Sequence, residues 1–169
     1  MLLKRPVKDF DVMVIGDGIS FAEKVAEHFH IKTLVVYHNF GTAMLPMGES
    51  HDYHKIEFVG ARRESYHAES RNPSVEPADL HSDLSRRDFT INAMAMRINK
   101  ENYGVMIDLF NGKKDLHDTI LRTPLDPEET FSDDPLRMMR AIRFASQLQF
   151  KIEENTLQGI IKNASRISI

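Results

Sequence analysis

The sequence predicts an α+β fold, a mixed sheet with helices followed by the start of an all-helical region. Three observations carry this. The N-terminal part holds short apolar runs separated by Gly, Asp and other polar residues. The polar run Arg86-Arg87-Asp88 feeds at once into Phe89, Ile91, Ala93, Met94 and Ala95. From Ser132 onward the apolar residues recur at helical spacing instead.

In order along the chain, Phe10–Ile15 is an apolar strand that ends in the turn signal Gly16-Asp17-Gly18. Phe21, Val25 and Phe29 then recur every fourth residue, which predicts an amphipathic helix over 19–29. Thr33–Tyr37, Thr42–Met47 and His54–Val59 read as three further strands, the last two separated by the polar stretch 48–52. Residues 62–78 are polar, carry two prolines and read as a long surface loop. Val105–Asp108 is a short strand, Lys113–Asp118 a brief polar helix and Ile120-Leu121 a last extended piece. A helix beginning at Ser132 carries Met138, Ala141, Ile142, Ala145 and Leu148 on one stripe, and another runs over about 153–165.

Bulk properties exclude several classes. With 169 residues and 41% hydrophobic content, one domain with an appendage can build a core. There is no cysteine, which excludes a disulfide scaffold and thiolate metal sites and fits a reducing cytosol. No apolar run approaches the roughly 20 residues that span a bilayer, and Met1-Leu2-Leu3 followed by Lys4-Arg5 predicts no secretory leader. A net charge of −3 means that RNA binding, if present, must rest on local basic patches or on other parts of a protein.

Asp9 and Asp11 flank Phe10 at the start of the first strand. Positions i and i+2 share a strand face, so their carboxylates converge and can hold Mg²⁺; the spacing equally describes solvated charges at a strand entry. Glu57 is either a third carboxylate beside them or an outward-facing strand residue. Arg86 and Arg87 offer guanidinium forks beside Asp88, a combination suited to the phosphate and hydroxyl groups of a nucleotide, although a solvated arginine pair is the plainer account. Asn92 can be a buried amide satisfied by backbone. Asp134 and Arg137 stand at i and i+3, where an intrahelical ion pair explains them as well, and Ser132, Asp133 and Asp134 suit a helix start. The eight histidines have no metal-binding spacing; His28, His30, His51 and His54 read as surface residues.

Asp9-Phe10-Asp11, Glu57-Phe58-Val59-Gly60-Ala61-Arg62-Arg63-Glu64, the run Arg86–Ala95 (RRDFTINAMA), Asp108–Gly112 (DLFNG) and Asp133-Asp134-Pro135-Leu136-Arg137 with Arg140 together resemble the class II tRNA nucleotidyltransferase (CCA-adding enzyme) and bacterial poly(A) polymerase family. The resemblance runs from about Lys8 to Phe150. It implies a nucleotidyltransferase-type head over residues 1–124 and the beginning of a helical neck over 125–169. It further implies that Asp9 and Asp11 are the catalytic metal ligands, and that Arg62, Arg86, Arg87, Asp88, Asn92, Asp134, Arg137 and Arg140 bind the nucleotide. Asp88 would read the ribose hydroxyls, Asp134 and Arg137 would form a Watson–Crick-like edge for the base, and Asp108–Gly112 would accompany domain movement. Asp133 stands where the family has a glutamate, which leaves the Asp134/Arg137 pair intact.

The expected activity is template-independent addition of CCA to tRNA 3′ ends from CTP and ATP, with Mg²⁺ as cofactor, in the cytoplasm. The alternatives are a poly(A) polymerase of the same family and a non-catalytic nucleotide- or RNA-binding module. In the family a Gly-rich loop and a helix precede the aspartate pair, and a helical body grips the RNA. The expectation is therefore of a head truncated before Asp9, inactive by itself, with RNA held mainly through parts outside this chain.

Overall fold

The computed structural model describes residues 2–3, 6–48, 54–67 and 70–168, so part of the polar stretch 48–52, with His51, lies outside the described residues. The chain divides into two compact units, Met1–Arg62 with Val75–Leu80, and Arg63–Ser74 with His81–Ile169.

The first unit is a four-stranded mixed sheet of order β1-β4-β3-β2. Its strands are β1 (Asp9–Val14), β2 (Val35–Tyr37), β3 (Thr42–Pro46) and β4 (Lys55–Gly60). β1 runs parallel to β4, and the other two pairings are antiparallel. Strand alternation puts Val12, Val14, Ile56, Phe58, Ala43 and Leu45 on one face. Helix α1 (Gly18–His28) covers that face, its N-terminus capped by Asp17, whose carboxylate accepts from Ile19 N at 2.9 Å and Ser20 N at 3.2 Å. The hydrogen bonds from Ser20 hold the Asp17 carboxyl below its usual range.

The buried stripe of α1 is Gly18, Ala22 and Ala26, with Phe21 42% and Phe29 67% exposed, so of the residues at fourfold spacing Val25 alone joins the core cluster. The reason is close approach: a Cβ on Gly18 would lie 2.6 Å from Gly60 N. Only small residues let the helix axis come that near the sheet, and bulky side chains are turned to the flanks.

In place of the expected loop over 62–78, β5 (Arg62–His67) and β6 (Ser70–Pro77) pair as a two-stranded ribbon. Prolines 73 and 77 are tolerated because a two-stranded ribbon leaves each strand one edge without ladder bonds.

The second unit follows with α2 (Leu80–Ser85), a 3₁₀ turn at Thr90–Asn92, and the antiparallel pair β7 (Met94–Met96) and β8 (Met106–Asp108). Next come α3 (Gly112–Asp118), β9 (Ile120–Leu121), α4 (Pro127–Asp133), α5 (Leu136–Leu148), β10 (Lys151–Ile152) and α6 (Glu154–Asn163). Phe89, Leu121, Ala141 and Phe150 form its core, joined by Ile91, Phe144, Leu148 and Ile160. The helix expected from Ser132 is two helices. Pro135 disfavours helical backbone at the residue before it, and Asp134 is extended at φ −134° and ψ 99°, so α4 stops and α5 restarts. Ile142 is 54% exposed and falls outside the buried stripe of α5.

Candidate active site

On the sheet face opposite α1, Asp9 and Asp11 are both exposed and alternate with the half-buried Phe10. The parallel register sets Asp9 beside Lys55 and Asp11 beside Glu57, so all four side chains emerge on the same face. Lys55 Nζ donates to Glu57 Oε2 at 3.0 Å. That bond first, and then the charges of Glu57, Asp9 and Asp11, raise the Lys55 ammonium above its usual value. A cation is therefore stabilised on this face, and exposed carboxylate oxygens are the donors a hard divalent ion prefers. Among the described residues no three Asp, Glu or His side chains gather into a ready-made cage. Glu57 shares the face, but its carboxylate is engaged by Lys55. Lys55 went unnoticed in the sequence, although its i, i+2 spacing to Glu57 carries the signal.

In the second unit the Arg86–Ala95 run is built on buried charge. Asp83, with a fully buried side chain, receives Arg86 at 2.7 Å and Arg87 at 3.0 Å. Burial opposes its ionisation, but the two guanidinium groups outweigh that and hold the carboxyl below its usual range. Arg86 also pairs with Glu64 at 2.8 Å. Both arginines are thus engaged structurally rather than standing as a solvated pair, and Arg87 Nε is buried without a hydrogen-bond partner among the described residues. The spacing Asp83/Arg86/Arg87 at i, i+3 and i+4 could have revealed the anchor.

Asp88, 7% exposed, organises the next group. Its Oδ1 accepts from Phe89 N at 2.9 Å and Asn92 Nδ2 at 3.0 Å. Its Oδ2 accepts from Arg140 Nε at 2.7 Å, with Nη2 in ion-pair contact at 2.6 Å. A carboxylate has about four lone-pair sites, most of which are used here, and the Asn92 amide donates to this side chain rather than to backbone. Arg140 also lies 5.2 Å over the Phe144 ring, which packs edge-on against Phe89. Behind the turn, Thr90 Oγ1 donates to Asp115 Oδ2 at 2.8 Å and Arg122 Nε reaches the same oxygen at 3.2 Å. Asp108 receives Gly112 N and Lys113 N at 2.7 and 2.9 Å, capping α3.

Asp134 and Arg137 meet at the start of α5. Asp134 Oδ1 accepts from Leu136 N at 3.0 Å, and its Oδ2 lies 4.0 Å from Arg137 Nε, too far for a hydrogen bond. Arg137 Nη2 donates instead to Tyr66 Oη at 3.3 Å. Asp133 ends α4 rather than starting a helix, and its burial pushes its carboxyl up. Arg62 belongs to the first unit, where its Nη1 donates to Phe40 O at 3.2 Å. The structure thus joins Asp9, Asp11 and Glu57 on one strand face, Asp88, Asn92 and Arg140 in one cluster, and Arg86 with Arg137 through Glu64 and Tyr66. Glu64, Tyr66 and Asp83 were not singled out as site residues from sequence.

His28, His30 and His54 are exposed, as expected. No helix among the described residues is long and apolar enough to cross a membrane.

The sequence pattern described as the poly A polymerase head domain matches residues 1–122. The chain is 43% identical over 169 residues to the A-adding tRNA nucleotidyltransferase of Aquifex aeolicus, an alignment covering all of this chain and 20% of that protein. It is 42% identical over 166 residues to the CCA-adding enzyme of Lactobacillus helveticus, covering 96% of this chain and 38% of that one. Its fold superimposes on a tRNA nucleotidyltransferase crystallised with a primer tRNA and an incoming ATP analogue, at a TM-score of 0.80 and 38% identity, over 97% of this chain and 43% of that one. The chain therefore spans about a fifth to two fifths of the length of the relatives it matches. On the matched pattern, the identities and the shared fold, the chain belongs to the poly A polymerase head domain family, which it shares with the A-adding and CCA-adding tRNA nucleotidyltransferases.

Proposed function

We propose that this chain is the catalytic head of a template-independent tRNA nucleotidyltransferase that extends tRNA 3′ ends from CTP and ATP, with residues 1–124 as the head and 125–169 as the first part of a helical neck. The reaction is in-line attack of an RNA 3′-hydroxyl on the nucleotide α-phosphate, with pyrophosphate leaving. The observation that carries this is the pair of exposed carboxylates, Asp9 and Asp11, on one face of β1, in a field that already stabilises the Lys55 cation. Those carboxylates would hold Mg²⁺, which when bound supplies charge to the attacking and leaving oxygens. Glu57, tied to Lys55, tunes the same field from the neighbouring strand.

Asp88 acts here by fixing Asn92 and Arg140, which offer their remaining N–H groups to the nucleotide's polar groups; Arg86 and Arg87, paired with Asp83 and Glu64, brace the run that carries Asp88. Arg137 and Asp134 provide donors and an acceptor on a helix start, which is what choosing a base without a template requires. The reaction belongs in the cytoplasm, where tRNA is matured.

Because a 43%-identical relative is an A-adding tRNA nucleotidyltransferase, addition of the terminal A alone is the second reading. The full-length protein, given Mg²⁺ and tRNA ending before the CCA or one residue short of it, tests both. Three nucleotides on the first substrate mean CCA addition, and growth of the second substrate alone means A addition. A long ATP-derived tail would identify a poly(A) polymerase, and nucleotide binding without incorporation a non-catalytic module.

A further inference from the structure

Glu64 and Tyr66 lie on β5 two residues apart and therefore on one face of the ribbon. The Glu64 side chain is 5% exposed, and each of its oxygens receives a hydrogen bond. Oε1 receives Arg86 Nη1 at 2.8 Å, and Oε2 receives the Tyr66 hydroxyl at 2.7 Å. The Tyr66 oxygen in turn accepts from Arg137 Nη2 at 3.3 Å, and the same Nη2 stands 3.9 Å from Glu64 Oε2. The Arg137 guanidinium carbon is 5.8 Å from the centre of the Tyr66 ring. Burial first, and then the hydrogen bond to Glu64, raise the Tyr66 phenol far above its usual range, so the hydroxyl keeps the proton it donates.

The consequence lies in which donors Arg137 has left. A guanidinium carries five N–H groups in a fixed plane. Nη2 is taken by Tyr66 and faces Glu64, and Nε faces Asp134 from 4.0 Å. Nη1 has no partner among the described residues. Holding one corner of a planar group sets the direction of the others, so the Tyr66 contact fixes where the Nη1 protons point.

We propose that Tyr66, oriented by Glu64, is a specificity-determining positioning residue: it sets the plane of Arg137 and thereby the donor pattern that the incoming base meets. Glu64 also ties that plane to Arg86, so the Arg86–Ala95 run and the start of α5 are registered through a single carboxylate. The inference rests on the proposed function, since it concerns how that site selects its nucleotide.

The test is Tyr66→Phe in the full-length protein, which removes one oxygen and keeps the ring. Incorporation of ATP or CTP is compared with that of UTP or GTP as ratios of kcat/KM. The expected result is a fall in discrimination on the order of tenfold, what losing a hydrogen bond to a charged group costs, with a smaller change in kcat for the correct nucleotide. Glu64→Gln, which keeps an acceptor for Tyr66 but loses its charge, should give an intermediate ratio. A direct readout uses the side-chain NMR signals of Arg137: slow rotation of its guanidinium in the parent and faster averaging in Tyr66→Phe. Discrimination within twofold of the parent, an equal loss for all four nucleotides, or unchanged Arg137 signals would overturn the proposal while leaving the transferase reading intact. A parent protein that transfers no nucleotide at all would instead overturn the function and this inference with it.

Discussion

Arg140 and Asp88, fifty-two positions apart, are joined on one oxygen by a hydrogen bond from Nε at 2.7 Å and an ion-pair contact from Nη2 at 2.6 Å. The contact ties the centre of α5 to the run that carries Phe89 and Asn92. With Phe89 N, Asn92 Nδ2 and Arg140 Nε already on Asp88, a ribose hydroxyl there has to share a crowded carboxylate.

Asp88→Asn removes the charge that orients Arg140. Hydrogen bonds to charged groups are worth about 1.5–3 kcal/mol, so kcat/KM for ATP incorporation should fall roughly 10- to 100-fold. Steady-state incorporation assays check this, and an unchanged kcat/KM would show that the clamp has no catalytic consequence.

Asp9→Asn and Asp11→Asn should separate activity from folding. Both side chains are exposed, so unfolding free energy should change by no more than about 0.5 kcal/mol. Nucleotide transfer should fall on the order of a thousandfold, the scale of losing several kcal/mol of metal-derived stabilisation. Thermal melts and single-turnover assays on the same samples make the comparison, and retained activity in either variant would remove that residue from the catalytic reading.

Asp83 predicts a pH dependence of stability. Its carboxyl is held below the usual value in the folded protein. Its contribution is therefore fully present above the unfolded pKa of about 3.9 and is lost as pH falls through the lower folded value. Asp83→Asn should cost about 3 kcal/mol at neutral pH by leaving Arg86 and Arg87 without their anchor. Its stability should also fall less steeply than the parent's below about pH 4. Denaturant melts between neutral and acid pH decide it, and parallel curves would mean that Asp83 does not carry the effect.

Gly112→Ala probes the seat of the 3₁₀ turn. A Cβ there would lie 2.2 Å from the Thr90 carbonyl oxygen, backbone that cannot swing aside. A loss of about 1–3 kcal/mol is expected, together with weakened nucleotide binding, because Thr90–Asn92 must shift. Calorimetry and equilibrium nucleotide binding measure the two effects, and an unaltered melting temperature would show that the turn tolerates the displacement.

The part of the candidate site that was legible has a local logic: Asp9 and Asp11 share a face through the period of a strand. Asp83, Arg86 and Arg87 fall at helical spacing, a local signal that was present but not picked out. Asp88 and Asn92 are four residues apart and bond directly. The local periods also announced β1, α3 and α6 to within a residue or two at most of their ends.

What only the tertiary structure decided are pairings between distant residues and the choice among faces. Sequence periodicity announced an amphipathic helix through Phe21, Val25 and Phe29, but the approach of Gly18 to Gly60 selected Ala22 and Ala26 for its buried face. The ribbon over residues 62–77 looked like a loop because its strands are polar and contain prolines. Glu64 meets Arg86 across 22 positions, and Tyr66 meets Arg137 across 71. No local period encodes such contacts. By itself the sequence determined which chemical groups are present and which neighbours share a face; a buried charge has to find its partner wherever packing brings one, and that was settled only when the core closed.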